Sequence, residues 1–190
     1  MTDRSPVAAV ILAAGLGRRF GGPKVAARLG DDTLLMRVSR IARDAGLNPI
    51  LAVVPRGTET PARVEAVVNA DPARGQSLSL RLGIERVPSN RAALILLVDQ
   101  PTMPPESIAA VLAARGRRPL VVAVADDRYG PPALIEPEAF PLVMELSGDI
   151  GLREVLASRP DLVEAVPVAA HPPDVDTAAD LDRLEDRLGP

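Results

Sequence analysis

Val7-Ala8-Ala9-Val10-Ile11-Leu12-Ala13-Ala14-Gly15-Leu16-Gly17-Arg18-Arg19-Phe20-Gly21-Gly22-Pro23-Lys24 is the stretch on which the fold turns. Residues 7–12 form an unbroken apolar run, with β-branched side chains at Val7, Val10 and Ile11. Such a run reads as a strand buried on both faces. It feeds directly into a glycine-rich loop. In α/β sheets that junction is where phosphates bind, because glycines let backbone N–H groups approach anionic oxygens. Arg18, Arg19 and Lys24 add three cations, read here as exposed loop charges able to offset a triphosphate. The dinucleotide fingerprint does not fit: three residues separate Gly17 from Gly21, where two are required. The Walker loop does not fit either, since Lys24 follows Pro23 and precedes Val25.

Outward from this stretch, strands and helices alternate. Residues 34, 35, 38, 41, 42 and 45 recur at helical spacing, and Gly46 supplies a stop. Strands are expected at 50–54, 64–68, 92–98, 120–125 and 163–168. Helices are expected at 77–87, 107–115 and, behind an Asp149 cap, 149–158. A short strand and helix fill 133–146, 126–132 reads as polar turn, and Leu181, Leu184 and Leu188 mark a closing helix. The order predicts an α/β fold: one mostly parallel, doubly wound sheet flanked by helices, with residues 1–190 forming a single domain.

Composition bounds the function. Apolar residues are 47 % and charged residues 25 % of the 190, ordinary for a globular chain that needs no staples. A net charge of −3 and only 2 % aromatic residues argue against nucleic-acid binding, which wants basic surface or stacking platforms. With no cysteine there is no disulfide or thiolate metal site. The apolar run that stops at Gly15 is too short to span a membrane and lacks a basic lead, so a cytoplasmic location is expected.

Three further constellations carry chemistry. Leu97-Val98-Asp99-Gln100-Pro101 puts a carboxylate at the end of the strongest strand, beside the phosphate loop. Mg²⁺ takes hard oxygen ligands there, one or two carboxylates plus phosphates and waters; the same Asp would also suit a plain turn before a proline. In Asp174-Val175-Asp176-Thr177-Ala178-Ala179-Asp180, Thr177 and Asp180 resemble a capping box, and Asp176 on its own reads as a helix-end charge. Between residues 69 and 83, Arg74-Gly75-Gln76-Ser77-Leu78-Ser79 offers small hydroxyls that line a groove or cap a helix. His171, the one histidine, has no partner cluster in the sequence.

Together these segments resemble the molybdenum cofactor nucleotidyltransferases, within the nucleotide-diphospho-sugar transferase-like superfamily. The likeness runs from about Val7 to Leu188. It rests on Leu12-Ala13-Ala14-Gly15 with Arg19, Gly21 and Lys24; on Asn69 with Gly75, Ser77 and Ser79; on Asp99; on Gly148-Asp149, Gly151 and Arg153; and on Asp174, Asp176 and Thr177. The resemblance implies a Rossmann-like nucleotidyltransferase fold. It implies that Leu12, Ala13, Ala14, Gly15, Gly17, Arg19, Lys24, Asn69, Gly75, Ser77, Ser79 and Gln100 bind the nucleotide. Arg19, Lys24 and Asp99 would be catalytic. Asp99 and Asp176 would hold Mg²⁺, with Mn²⁺ as a substitute, and Asp149 and Arg153 would meet the acceptor. Leu-Ala-Ala-Gly and Asp-Gln-Pro are similar to the cytidylyl branch, so Ala14 and Gln100 point to CTP. The implied acceptor is a molybdopterin-type phosphate, and a receiving molybdenum enzyme is an implied partner. One departure stands out: relatives often carry Gly-His-Pro where this chain has Gly130-Pro131-Pro132.

Three rival readings have a discriminating observation each. Another nucleotidyltransferase of the same fold, guanylyl transfer to molybdopterin included, would differ in the nucleotide or acceptor that supports pyrophosphate release. A cofactor-delivery protein would not need the intact set of Asp99, Arg19 and Lys24. A dehydrogenase would need an acidic residue after the second strand, where Val53-Val54-Pro55 stands.

Overall fold

A computed structural model describes residues 6–17, 19–149 and 151–188. Arg18, read above as a phosphate cation, lies outside the described residues. In chain order the elements are β1 (Val7–Leu12), β2 (Arg28–Leu29), β3 (Asp32–Thr33), α1 (Leu34–Asp44), β4 (Ile50–Pro55), β5 (Val64–Asn69), α2 (Gln76–Arg86), β6 (Ala92–Leu97), α3 (Pro105–Ala113), β7 (Leu120–Ala125), β8 (Arg128–Ile135), α4 (Phe140–Met144), α5 (Leu152–Ser158), β9 (Val163–Pro167) and α6 (Ala178–Leu188).

Seven strands form one sheet in the order β5-β4-β1-β6-β8-β7-β9, while β2 and β3 make a separate small hairpin. β1 is parallel to both β4 and β6, β5 is parallel to β4, and β9 is parallel to β7. β8 alone runs antiparallel, pairing β6 on one side and β7 on the other. The chain leaves β1 toward β4 and β5, then crosses back to β6 on β1's other flank. That reversal is a topological switch point, and it opens a crevice at the carboxyl ends of β1 and β6.

The core explains the strand sequences. Ala8, Ala9, Val10 and Ile11 are wholly buried. Ala9 and Ile11 face the layer that includes Leu35, Val38, Ile108, Val111 and Leu184, from α1, α3 and α6. Ala8 and Val10 face the opposite layer, with Leu80, Ile84, Val143 and Leu156 from α2, α4 and α5. A strand covered on both sides has no polar face to show, so the alternation is apolar throughout. Helix α1 is bounded as its sequence suggests. Thr33 Oγ1 accepts the Met36 N–H at 3.1 Å, and Gly46 takes the left-handed conformation just past the end.

Three differences from the sequence reading bear on the site. Residues 126–132 are not all turn, because β8 begins at Arg128. Its glycine and two prolines hide the strand, and a register shift opposite Val122/Ala123 accommodates them. Asp149 does not cap α5: the helix starts at Leu152 behind Gly151, whose N–H is taken by the Glu154 carboxylate at 2.9 Å. The strand that leads to Asp99 ends at Leu97, leaving Val98 and Asp99 in the turn.

Gly83 sets how closely α2 approaches the sheet. A Cβ there would lie 2.4 Å from Val10 Cγ1 and 3.2 Å from Val53 Cγ2. Gly83→Ala should therefore destabilise the fold by about 1–3 kcal/mol through overpacking, despite alanine's better helix propensity. Adding Val10→Ala should recover part of that loss in denaturant melts. An unchanged or raised midpoint for Gly83→Ala alone would refute the close-approach account.

Candidate functional site

The loop after β1 is organised around one carbonyl. Gly17 O accepts the N–H groups of Phe20, Gly21 and Gly22 at 2.9, 3.0 and 3.3 Å. Gly17 sits at a φ of 56°, and a Cβ on it would lie 1.9 Å from Gly22 O. Only glycine closes this turn. The loop's root is tied to its neighbours, with Ala13 N on Val53 O at 2.8 Å and Val98 N on Leu12 O at 3.2 Å. Leu12, Ala13 and Ala14 therefore belong to the sheet's carboxyl edge, and Ala13 and Ala14 are buried.

The loop ends in a single 3₁₀ turn, Lys24–Ala26, with Val25 packed into the core. That anchor turns Lys24 toward the crevice. Its Nζ donates to Asp99 Oδ2 at 3.1 Å and to Asp176 Oδ1 at 2.6 Å. Arg19 closes the group from outside, its guanidinium 2.9 Å from Asp176 Oδ2 and its side chain 74 % exposed. Lys24 is thus no exposed loop charge: its side chain is only 13 % accessible. The two carboxylates are not left to repel each other either, because an ammonium stands between them.

The electrostatics follow from this packing. Burial lowers the Lys24 ammonium's pKa, but the hydrogen bond to Asp176 and the Asp99 charge outweigh it, and the net direction is upward. For Asp99, burial pushes the carboxyl above its ordinary value, and the opposing pull of Lys24 does not cancel this. Asp176 begins the segment that leads into α6. Thr177 and Asp180 form the expected capping pair, with Thr177 N donating to Asp180 Oδ2 at 2.7 Å and Asp180 N to Thr177 Oγ1 at 3.2 Å. The Thr177 hydroxyl, then Arg183, hold the Asp180 carboxyl down at about 2.

Other residues singled out in the sequence are committed to the protein. Buried Asn69 donates to Ser79 Oγ at 2.9 Å and accepts the Asp71 N–H at 3.0 Å, so the pair pins β5 to α2. Ser77 Oγ donates to Gly148 O at 2.7 Å. Gly75, at a φ of 97°, lets that carbonyl approach, since a Cβ would lie 2.2 Å from it. Gln100 is buried and donates to Asp174 Oδ1 at 2.9 Å.

Asp149 and Arg153 do not join the Lys24 group. They line a cleft of about 250 Å³ together with Gln76, Tyr129 and Pro131, floored by Leu12 and Leu97. Those two leucines are register partners at the ends of β1 and β6, so cleft and ion cluster share one sheet edge. Sequence reasoning missed Tyr129, because the residues around it read as turn. It also missed the place of His171, whose Nε2 lies 2.9 Å from Arg128 O and whose ring sits where a Gly130 side chain would be. Among the described residues no three His, Cys, Asp or Glu side chains form a metal cage. Any cation held by Asp99 and Asp176 would take its other ligands from a bound anion and water.

No helix among the described residues is long and apolar enough to cross a membrane. The family of MobA-like NTP transferase domains matches residues 9–165. No curated protein matches the sequence. An Rv0371c homologue from Mycobacterium sp. strain JC1 superposes with a TM-score of 0.85 at 28 % identity, covering 98 % of this chain and 100 % of that one. Rv0371c from Mycobacterium tuberculosis H37Rv, solved in complex with manganese, gives 0.80 at 25 %, covering 95 % and 98 %. The inositol-1-phosphate CTP transferase of T. maritima shares the fold, with a TM-score of 0.76, 18 % identity and coverage of 96 % and 94 %.

Lys24→Met should cost about 1–3 kcal/mol of stability, the scale for stripping buried hydrogen-bonding groups of their partner. Lys24→Met/Asp176→Asn should be more stable than the single variant, because one of the facing charges is gone. If Lys24→Met melts like the parent chain, the ammonium is not what holds the carboxylates together.

Proposed function

Because this chain belongs to the family of MobA-like NTP transferase domains, we propose that it transfers CMP from CTP to the terminal phosphate of molybdenum-loaded molybdopterin. The family makes it a nucleotidyltransferase; the nucleotide and the acceptor are our reading. An oxygen of the acceptor's terminal phosphate attacks the α-phosphorus of CTP. The bond to the β-phosphate breaks, pyrophosphate leaves, and a new P–O–P link joins the cytidylyl unit to the pterin. The acceptor phosphate is already anionic, so no enzyme nucleophile is required.

The observation that carries the proposal is the Lys24 ammonium straddling Asp99 and Asp176 at the carboxyl edge of the sheet, next to the glycine loop. Phosphoryl-group transfer asks for positioning and charge neutralisation. Lys24 and Arg19 are, among the described residues, cations placed for a triphosphate, and the backbone around Ala13–Gly17 is the surface it would lie on. Asp99 and Asp176 fit a Mg²⁺ or Mn²⁺ site, being two hard carboxylates on one cation already. Such an ion would draw charge from the α-phosphate and the departing pyrophosphate. Lys24 would then exchange its carboxylate partners for phosphate oxygens.

Ala14, in place of a glycine, supports CTP over GTP. The cleft beside the cluster supports a flat organic acceptor. Its lining joins aliphatic side chains such as Leu12, Ile95 and Leu97 and the aromatic Tyr129 to the polar Gln76, Asp149, Arg153 and Glu154. Arg153 would meet an acceptor phosphate, and delivery of the product to a molybdenum enzyme would follow release.

The deciding experiment offers four nucleoside triphosphates to molybdopterin, a sugar phosphate and a phospho-acid, and reads pyrophosphate. We expect release with CTP and molybdopterin, at a kcat/KM at least about tenfold above that with GTP, or 1.4 kcal/mol in the transition state. Equal or faster turnover with GTP would end the cytidylyl reading. Release with the sugar phosphate alone would end the pterin reading.

Asp99→Asn keeps the shape and removes the charge. It should lower kcat by about two orders of magnitude or more. Its melting temperature should hold or rise, because burial already works against the Asp99 carboxylate. A variant that keeps its rate would take Asp99 out of the chemistry.

A further inference from the structure

We propose that Gln100 is a positioning residue: it fixes Asp176 against Asp99 by holding Asp174, and it does not read the nucleotide base. Asp176's own role rests on the function proposed above; the mechanical joint does not.

An amide that reads a base needs its donor and acceptor open to a ligand. Gln100 is 5 % exposed, and one of its two Nε2 N–H groups is given to Asp174 Oδ1 at 2.9 Å. Its Oε1 is sealed away from solvent and has no hydrogen-bond partner among the described residues. The acceptor is therefore closed to a ligand, and the donor is engaged by the protein.

What this hydrogen bond does follows from its neighbour. One residue before Gln100 and one after Asp174, the Asp99 carbonyl accepts the Val175 N–H at 2.8 Å. Residues 99–100 and 174–175 are thus joined twice, once through backbone and once through the Gln100 amide. Val175, 1 % exposed, drives its side chain into the core between the two pins. Asp176 comes next in the chain. From its other side, Asp176 N donates to the Asp180 carboxylate at 3.1 Å, inside the cap of α6. The backbone carrying Asp176 is therefore clamped before and after. The earlier clamp is anchored on the same turn that carries Asp99. Two carboxylates meant for one cation must be set relative to each other, and this joint refers the second directly to the first. Removing a partner that orients a metal-binding carboxylate typically costs about 10- to 100-fold in metal affinity.

Three substitutions separate the possibilities. Gln100→Met removes the donor at similar size. Asp174→Ala removes the acceptor. Asp174→Asn removes the charge but keeps an acceptor oxygen for the Gln100 amide. Each full-length chain is titrated with Mn²⁺ in the presence of a CTP analogue with a non-cleavable α–β bridge. Hydrogen exchange at the Val175 amide is measured separately, with no ligand present.

Gln100→Met and Asp174→Ala should each weaken Mn²⁺ binding about 10- to 100-fold. The double variant should be no weaker than either single one, because both cut the same bond. Asp174→Asn should stay near the parent chain. Val175 exchange should quicken in Gln100→Met and Asp174→Ala and not in Asp174→Asn. The CTP-to-GTP ratio of kcat/KM should not move in any of them. A changed ratio in Gln100→Met would mean that the amide reads the base, and overturns the proposal. Asp174→Asn as weak as Asp174→Ala would overturn it too, since the Asp174 charge would then be acting on the ion. If the parent chain binds neither Mn²⁺ nor the analogue, the function proposed above falls. The Val175 exchange would then still decide the joint: unchanged rates in Gln100→Met sink it, and faster rates sustain it.

Discussion

The contact on which the site depends is the Lys24 ammonium held between Asp99 and Asp176. Its two partners lie 75 and 152 residues further along the chain. Without a cation, these two half-buried carboxylates at one sheet edge would repel. The fold supplies its own counter-ion instead, carried on a turn whose neighbour Val25 is in the core. Under the function proposed above, a triphosphate would bring anionic oxygens for Lys24 and Arg19 and a divalent ion positive charge for the two aspartates, so that loading would be an exchange of ion pairs in which no charge is buried alone.

Most of the sheet was legible in the sequence, because β1, β4, β6 and β7 are short apolar runs and β5 and β9, each with one glutamate, are still rich in valine. The strand that escaped, β8, carries Gly130, Pro131 and Pro132 in its first half, and such residues ordinarily end strands. It survives because it runs antiparallel with a register shift beside Val122/Ala123, a feature of pairing that no local pattern encodes. Tyr129 went unnoticed for the same reason. Asp149 looked like a helix cap by residue type, but the Gly151 N–H is taken by Glu154, and Asp149 is free to stand at the cleft rim. The pairing of Asp99 with Asp176 was suggested by family likeness alone. Periodicity places Asp99 at a strand end, yet nothing local says that the segment before α6 returns to that strand end. The Val175–Asp99 backbone bond that brings it there is a long-range contact, invisible to spacing.

Glycine is used at the crevice for close approach. Gly17 folds the phosphate loop back on Gly22, and Gly75 admits the Gly148 carbonyl to the start of α2. The second contact matters more for the architecture. Ser77 locks it from the same side with a 2.7 Å hydrogen bond to that carbonyl. The start of α2 lies beside the loop that would take the nucleotide, whereas Gly148 opens the segment that carries Asp149 and Arg153. The start of α2 and the residue before Asp149 are therefore fastened to each other directly, and Gln76 contributes to the cleft from this junction.

This economy bears on how a base could be told apart from another. Asn69, Ser77, Ser79 and Gln100 were all expected to contact nucleotide, and each is already hydrogen-bonded within the protein. Their polar groups help build the frame of the crevice, and under the function proposed above the loop's backbone and the shape around Ala14 would carry much of the base recognition. With two phenylalanines and one tyrosine in the chain, stacking platforms are scarce as well. A site that discriminates by fit rejects a competitor by about 1–3 kcal/mol, far less than one that leaves a buried donor or acceptor unpaired against the wrong ligand. Nucleotide choice in this chain should accordingly be a graded preference. The stricter demand would then fall on the phosphates, beside the converging charges of Arg19, Lys24, Asp99 and Asp176.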